Sequence, residues 1–253
     1  MQTCALQSGS NGNSIYVEAD GVRLLFDAGI SGRRAALRLD HHGRDIRQVD
    51  ALVISHDHAD HVRCAGVFQR KFGLPLYISP QTYAVVGHQL GRLHDVRFFQ
   101  PGESIEFGKV VVHTIPTPHD AAEGVAFVVQ CGSKRLGIFT DLGHPCEHLL
   151  RELASVDAAY LESNYDPMML ETGPYPYELK LRIRGAGGHL SNDEAALALR
   201  ACRRRHRWVA LAHLSEHNNR PETALATAYR LLGDAAPELL VASRYTVSPM
   251  LAV

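Results

Sequence analysis

Four strongly coordinating side chains, those of His56, His58, Asp60 and His61, fall within six residues of the segment VISHDHADHVRCAG, which runs from residue 53 to residue 66. His56 and His58 are two residues apart, so in an extended chain their side chains point to the same side. Asp60 and His61 follow where the chain turns toward a helix, so each pair is placed to hold an ion of its own. Imidazole with carboxylate suits zinc, manganese or iron. Solvated or core histidines around a turn are the alternative, which fits a single histidine better than the whole H-x-H-x-D-H string.

The segment before this string predicts a buried strand that positions the ligands. ALVIS, from 51 to 55, is short, apolar and rich in β-branched residues. Upstream, SIYVEADGVRLLFDAG has the pattern of a hairpin with Asp20 and Gly21 as its turn. Strand and helix patterns then alternate, without a repeat, a low-complexity tract or a linker. We therefore predict one α/β domain over residues 1–253, with sheets inside and helices outside.

Three predicted helices matter for the comparison with the structure. One lies in the segment after His61 and runs to about Phe72, and the next runs from Gln81 to about Leu93. The third covers NDEAALALRACRRRH, and Ser191 with Glu194 has the spacing of a capping box at its start.

Composition narrows the class of protein. Lys plus Arg is 26 and Asp plus Glu is 27, which argues against binding to nucleic acid or membrane through global charge alone but leaves room for a local basic groove. The five cysteines form no C-x-x-C pair, which favours a reducing compartment over a disulfide framework. The sequence has neither an export signal nor a long apolar run, so we expect a cytoplasmic protein without a membrane partner. Fifteen histidines are an unusually high number and point to a metal or acid/base site.

The histidine string resembles the metallo-β-lactamase superfamily. That family has a later histidine, a bridging acidic residue and a final histidine, each after a strand, and PTPHD, IFTDLG and VALAHLS supply them in order. The resemblance implies a four-layer αββα sandwich with two divalent ions at one edge of the paired sheets. It implies that one ion is bound by His56, His58 and His119, the other by Asp60, His61 and His213, and that Asp141 bridges them.

Two-metal chemistry gives the neighbouring carboxylates possible roles. Paired ions lower the pKa of a shared water and neutralise charge on a phosphoryl or carbonyl oxygen. Asp60 is expected to serve both as a ligand and as the group that orients the nucleophile. Asp27, in LLFDAG, is a candidate to accept a hydrogen bond from a ligand histidine, with a simple turn carboxylate as the equally weighted alternative.

Four further segments resemble the YycJ group of this superfamily, also called WalJ or VicX. They are SGSNGNS (8–14), LESNYD (161–166), YPYELKLRIRGAGGHLSN (175–192) and AHLSEHNN (212–219). The resemblance implies a metal-dependent 5′→3′ exonuclease similar to RNase J in its catalytic core, with DNA ranked ahead of RNA as substrate and no obligate protein partner. The chain between Asp141 and His213 is too short for the inserted domain of RNase J-like enzymes, so a smaller substrate footprint is expected.

The same segments supply candidates for phosphate binding. His189 lies in a glycine-rich turn before a helix, where it is expected to donate a proton to a leaving oxygen or to bind a terminal phosphate, with Ser191 adding a hydroxyl. The plainer interpretation is a loop histidine and a helix cap. Two basic runs are candidates to contact phosphates or are solvated helix faces: Lys180, Arg182 and Arg184, and then Arg203, Arg204, Arg205 and Arg207.

Several polar residues are expected next to the metal ligands. Asn13 in the SGSNGNS loop and Asn164 are candidates to hold ligands in place, as is Asn218. Glu162 is expected instead to be a buried partner of a basic side chain.

Other functions of the same ligand set stay open at this point. A metal-dependent thioester or lactone hydrolase is the main alternative, although little chain follows His213 for the helical substrate domain of a glyoxalase-type enzyme. A di-iron redox protein and a non-catalytic binding module fit less well. The ligand types leave zinc and manganese unresolved, with iron as a third choice.

Overall fold

The computed structural model describes residues 1–202 and 205–253. In this part of the chain two mixed seven-stranded sheets pack face to face, with helices on both outer sides. The strands are β1 (Gln2–Gln7), β2 (Ser14–Ala19), β3 (Val22–Phe26), β4 (Ala51–Val53), β5 (Leu76–Ile78), β6 (Val96–Phe98), β7 (Ser104–Phe107), β8 (Val110–Pro116), β9 (Val125–Cys131), β10 (Lys134–Phe139), β11 (Ala158–Glu162), β12 (Trp208–Ala212), β13 (Glu238–Val241) and β14 (Leu251–Ala252).

The first sheet has the order β14-β1-β2-β3-β4-β5-β6, and the second has the order β13-β12-β11-β10-β9-β8-β7. The helices are α1 (Gly32–Asp40), α2 (Ala59–Val62), α3 (Ala65–Phe72), α4 (Pro80–Val86), α5 (Glu147–Leu153), α6 (Pro167–Thr172), α7 (Tyr177–Arg184), α8 (Asn192–Ala201) and α9 (Pro221–Leu232). None of the helices in the described ranges is long and apolar enough to cross a lipid bilayer.

Alternating side chains place each strand between two apolar layers. In β9, Val125, Phe127 and Val129 face the other sheet, whereas Ala126 and Val128 face the helices. This is the period of two that a strand buried on both faces requires. Across the sheets, the rings of Phe26 and Phe127 lie 4.9 Å apart. The predicted four-layer αββα sandwich is confirmed.

The predicted hairpin is also confirmed. β2 and β3 pair antiparallel, with Ala19 opposite Val22. Asp20 and Gly21 between them have φ values of 49° and 82°. Two successive positive φ values define the turn that matches strand twist, which is why the Asp-Gly pair predicts it.

The predicted helix boundaries need correction in three places. The helix expected over residues 192–206 ends at Ala201, with Cys202 as its C-cap. The single helix expected after His61 and up to Phe72 is instead two helices: α2 already begins at Ala59, and α3 follows with Cys64 as its N-cap. The helix expected from Gln81 to Leu93 begins at Pro80 and ends at Val86 with Gly87 as its C-cap. Glycine favours a helix end because it loses much conformational entropy in a helix.

Candidate metal centre

The site lies where several strands end at one edge of the two sheets. β10, β11 and β12 are parallel, so Asp141, Glu162 and His213 come together at their carboxyl ends. In the other sheet β3 and β4 are parallel, and Asp27 and His56 follow their ends. Loops at the carboxyl ends of parallel strands are where open α/β sheets bind ligands.

Three residues at this edge have backbone conformations that are rare outside glycine. Asp27, Asp141 and His213 have φ values of 65°, 59° and 55°. Aspartate and histidine tolerate the left-handed region better than most residues, yet each such residue costs free energy. The surrounding fold therefore holds three side chains of one cluster in otherwise unfavourable positions, as is common at functional sites.

The first group of possible ligands contains His56, His58 and His119, whose ligand atoms lie within 4.8 Å of one another. The outer nitrogens of two of them face acceptors: His119 Nδ1 lies 2.9 Å from the Gly188 carbonyl, and His58 Nε2 lies 3.2 Å from the Asp120 carbonyl. A neutral imidazole that donates from one nitrogen presents a lone pair on the other.

The inner nitrogens of this group converge. His119 Nε2 and His58 Nδ1 are only 3.2 Å apart. His56 Nε2 is buried and makes no hydrogen bond with the described residues. Buried polar atoms are nearly always satisfied, and convergent lone pairs repel one another unless a cation lies between them. The three nitrogens therefore fit a metal ion.

The second group contains Asp60, His61 and His213, again with ligand atoms within 4.8 Å of one another. Asp60 Oδ2 lies 3.5 Å from His61 Nε2 and 3.2 Å from His213 Nε2. His61 Nδ1 lies 2.7 Å from the Asp27 carboxylate, and His213 Nδ1 lies 3.1 Å from Glu162. Each carboxylate accepts from Nδ1 and leaves Nε2 for a metal, the arrangement that ligand histidines usually have.

Asp141 lies between the two groups and is 3% exposed. Its Oδ2 is 3.0 Å from His61 Nε2, and its Oδ1 is 3.6 Å from His119 Nε2. Its Oδ1 also lies 3.4 Å from His213 Nδ1, so the carboxylate has neighbours in both groups, as a bridging ligand needs.

The electrostatics of the cluster also favour bound positive charge. Burial lowers the pKa of His213, but nearby carboxylates, Asp141 foremost, outweigh burial and raise it to about 10. Burial and the neighbouring His61 hold the pKa of His56 well below its usual range. Burial opposes ionisation of Asp60, yet His61 and His213 keep its carboxyl pKa low. Carboxylates this deeply buried need cations or bound protons beside them.

Glu162 has a larger role than the sequence indicated. It is fully buried, and its carboxylate lies 2.8 Å from His189 Nδ1 as well as close to His213. It also accepts from the backbone N–H groups of Leu142 and Leu190. The expected basic partner is thus a pair of histidines. Its position as the last residue of a strand, in LESNYD, is the signal that it belongs to the site.

Two of the three asparagines predicted to lie beside the ligands contact them, and the third does not. Asn13 Nδ2 lies 2.9 Å from His61 Nε2 and 3.2 Å from Asp60 Oδ2. Asn164 donates to the His213 carbonyl over 2.7 Å. Asn218 instead contacts Ser215. Ser55, which the sequence analysis did not single out, donates to Asp27 and lies 2.9 Å from His56 Nδ1.

A cavity of about 360 Å³ opens above the cluster. Its lining includes Asp60, Asp141, His189, His213, Asn164, Tyr175 and Arg182. Arg182 reaches it from α7 and binds Asp120 through two N–H groups, at 2.5 and 3.1 Å. Asp120, another residue that the sequence analysis did not single out, directly follows His119.

The remaining phosphate candidates lie away from this cavity. Lys180 donates to the Glu171 carbonyl, and Arg184 lies 3.2 Å from the Glu171 carboxylate. Ser191 is the N-cap of α8 and forms the predicted capping box with Glu194. Phosphate contact by these three residues stays a prediction. In the second basic run, Arg203 and Arg204 lie outside the described residues.

Comparisons with known proteins agree with this architecture. Residues 8–210 match the model of the metallo-beta-lactamase superfamily. The chain is 34% identical over 230 residues to exodeoxyribonuclease YycJ of Bacillus anthracis, covering 90% of this chain and 87% of that protein. It is 33% identical over 235 residues to exodeoxyribonuclease WalJ of Streptococcus pneumoniae serotype 2, covering 91% of this chain and 87% of that protein.

The fold has a close structural match as well. The crystal structure of YhfI, a metallo-beta-lactamase fold protein of Bacillus subtilis, matches with a TM-score of 0.75 at 16% identity, covering 98% of both chains. The family and the histidine–aspartate clusters together support binding of a divalent metal. The chain belongs to the metallo-beta-lactamase superfamily and, within it, to the family of the YycJ and WalJ proteins.

Proposed function

We propose that this chain is a metal-dependent exonuclease that hydrolyses phosphodiester bonds of nucleic acid from the 5′ end. The observation that carries the proposal is the convergence of seven side chains, shared between both sheets, below an open cavity with Arg182 in its lining. The relatives named as exodeoxyribonucleases support nucleic acid as the substrate class, and within it we propose DNA ahead of RNA.

The proposed site holds two divalent ions, zinc or manganese, with iron as a third choice. One ion would be bound by His56, His58 and His119. The other ion would be bound by Asp60, His61 and His213, and Asp141 would contact both ions. Ions in such a pair lower the pKa of water toward neutrality and stabilise negative charge on phosphoryl oxygens. Because both sheets supply ligands, residues 1–253 would act as one catalytic domain.

The protein's own side chains would orient the reacting groups. Asp60 has 22% of its side chain accessible, whereas Asp141 has 4%, so we propose Asp60 as the carboxylate that accepts a hydrogen bond from the attacking water. His189 is held through Nδ1 by Glu162, which leaves Nε2 for a phosphate oxygen or for the leaving oxygen. Arg182 has three further N–H groups after its two bonds to Asp120, and these are available to a phosphate.

We also propose a cytoplasmic location. Cys4, Cys64, Cys131, Cys146 and Cys202 are all free thiols in the structure, which suits a reducing compartment. The thioester or lactone hydrolase remains the alternative, but no feature of the cavity favours it over a nuclease.

A gel assay tests the proposal. Single-stranded DNA and RNA oligonucleotides with 5′-phosphate or 5′-hydroxyl ends are incubated with the protein and manganese or zinc, beside an Asp141→Asn control. Stepwise shortening from the 5′ end by the wild type alone is the expected result. Absence of cleavage with either metal, combined with hydrolysis of a thioester or lactone, would overturn it.

A further inference from the structure

A second cavity, of about 320 Å³, adjoins the metal centre. We call it the Arg244 cavity. Its lining includes Ser8, Leu214, Ser215, Glu216, Val241, Ala242, Arg244 and Tyr245. Small-molecule sites usually span about 300–1,000 Å³, so this volume suits a single flat ring system rather than a long segment.

The Arg244 cavity is joined to the metal centre by short covalent and hydrogen-bonded links. Ser215 lines both cavities, and it lies two residues after the proposed ligand His213. The His213 N–H donates to Ser8 Oγ over 2.8 Å, and Ser8 lines the Arg244 cavity. A substrate strand that reaches the ions is therefore close enough to place a neighbouring group in this second cavity.

The chemistry of the Arg244 cavity is that of a site for an aromatic ring with a polar edge. Leu214, Val241 and Ala242 provide apolar walls. The Arg244 side chain is only 8% exposed, and its Nη1 lies 3.1 Å from Glu216 Oε2. Its Nη2 donates to the Leu214 carbonyl. Because the Glu216 side chain is half exposed, this pair presents a carboxylate acceptor beside a guanidinium donor at the cavity wall.

Tyr245 adds the aromatic surface. Its side chain is among the exposed large hydrophobic residues, at 69% exposure, and it stands beside Glu216 at the same cavity. An exposed ring next to a charged pair is a stacking platform of the kind that single-stranded nucleic acid binders use.

We propose that the Arg244 cavity binds the base of a nucleotide next to the cleaved phosphodiester, with Tyr245 stacking on the base and Arg244 and Glu216 meeting its polar edge. This inference rests on the proposed nuclease function, because the base belongs to the same substrate strand. All four bases present a donor beside an acceptor, so the cavity would accept each of them and would position the strand rather than read its sequence.

The test compares Tyr245→Ala with Tyr245→Phe, which keeps the ring and loses only the hydroxyl. Substrates are 5′-phosphorylated single-stranded DNA and the same strand with one abasic residue at its first, second or third position. Bis(p-nitrophenyl) phosphate, which lacks a base, reports the chemistry at the metal centre alone.

Tyr245→Ala is expected to lower kcat/KM on normal DNA about tenfold through a higher KM, since the stacking contact with one base is lost. One abasic position should slow the wild type to a similar degree and slow Tyr245→Ala no further. Tyr245→Phe should stay within about twofold of wild type on all DNA substrates, and both variants should match it on bis(p-nitrophenyl) phosphate.

Two other outcomes contradict the inference in distinguishable ways. If wild type and Tyr245→Ala cleave normal and abasic DNA equally well, the cavity binds no base, and the nuclease function stands. If the wild type hydrolyses bis(p-nitrophenyl) phosphate but no oligonucleotide, the nuclease proposal fails and the base site fails with it.

Discussion

Asp27 Oδ2 lies 2.7 Å from His61 Nδ1 in the interior of the protein, although the two residues are 34 positions apart in the chain. The contact fixes the proton of His61 on Nδ1 and turns Nε2 toward Asp60 and Asp141. The sequence left two interpretations of Asp27 open: a turn carboxylate, or the partner of a ligand histidine. The structure shows the contact with His61 that the second interpretation requires. It also shows the first, because Asp27 has a φ of 65°.

Asp27→Asn is predicted to weaken metal binding about 10–100-fold, because an amide holds a ligand histidine less firmly than a carboxylate does. Asparagine tolerates positive φ, so the backbone should be unaffected. Calorimetric titration with zinc or manganese measures the change. Asp20→Asn is the matched control, since Asp20 also has a positive φ but lies in the β2–β3 turn away from the site. Equal affinities in both variants would contradict the role of Asp27.

Glu162→Gln is predicted to lower kcat at least about 100-fold, because Glu162 positions both His189 and His213 and general acid–base catalysis contributes about 10²–10⁴-fold. His189→Gln should also lower kcat, because it removes one of the two histidines that Glu162 positions. The double variant should therefore be no slower than Glu162→Gln alone. Single-turnover rates on 5′-labelled DNA measure this. If the loss of rate in the double variant equals the product of the losses in the two single variants, Glu162 and His189 act independently.

Arg182→Ala is predicted to raise the KM for DNA about tenfold, because a charged donor in the cavity lining is lost. Arg230→Ala is the matched control. It removes the same side chain from α9, but Arg230 pairs with Asp193 outside the cavity, so its KM should change less than about twofold. Steady-state kinetics at two salt concentrations compare the variants. Identical shifts in both would indicate a diffuse electrostatic effect rather than a contact by Arg182.

The Glu18–Arg44 pair is predicted to make stability depend on pH far from the metal centre. The Arg44 side chain donates to both Glu18 carboxylate oxygens, at 2.5 and 2.7 Å, and these bonds hold the pKa of Glu18 below its usual value. A lowered folded-state pKa contributes stability above the unfolded pKa, about 4.5, and this is lost as pH falls through the folded value.

Glu18→Gln should therefore lower the urea midpoint at pH 7, and the difference from wild type should shrink as the pH falls below about 4. Urea unfolding of both proteins across this range measures the effect. A difference that stays constant with pH would mean that the charge of Glu18 contributes nothing.

The sequence predicts best those parts of the site that sit close together in the chain. The string from His56 to His61 and the Asp20-Gly21 turn are local patterns. The turn is found as expected, and the side chains of the string lie together in two groups, whereas metal binding by them stays a prediction. Helix ends near Cys64 and Val86 were misplaced because local propensity is weak where tertiary packing decides the boundary.

Contacts between distant segments were harder to predict. Nothing in LKLRIR distinguishes Arg182 from Arg184, because the orientation of α7 is set by its packing and not by its own sequence. Glu162 was expected to pair with a basic group, but its two histidine partners come from loops 27 and 51 residues away. Such relationships appear only once the sheets are assembled.

The number of metal ions that each chain binds tests the central claim most directly. Native mass spectrometry of the protein reconstituted with zinc, beside Asp141→Asn, gives that number without requiring a substrate. Two ions per wild-type chain and fewer in the variant are the predicted result. A wild-type chain that binds one ion or none under saturating metal would contradict a dinuclear centre built on Asp141.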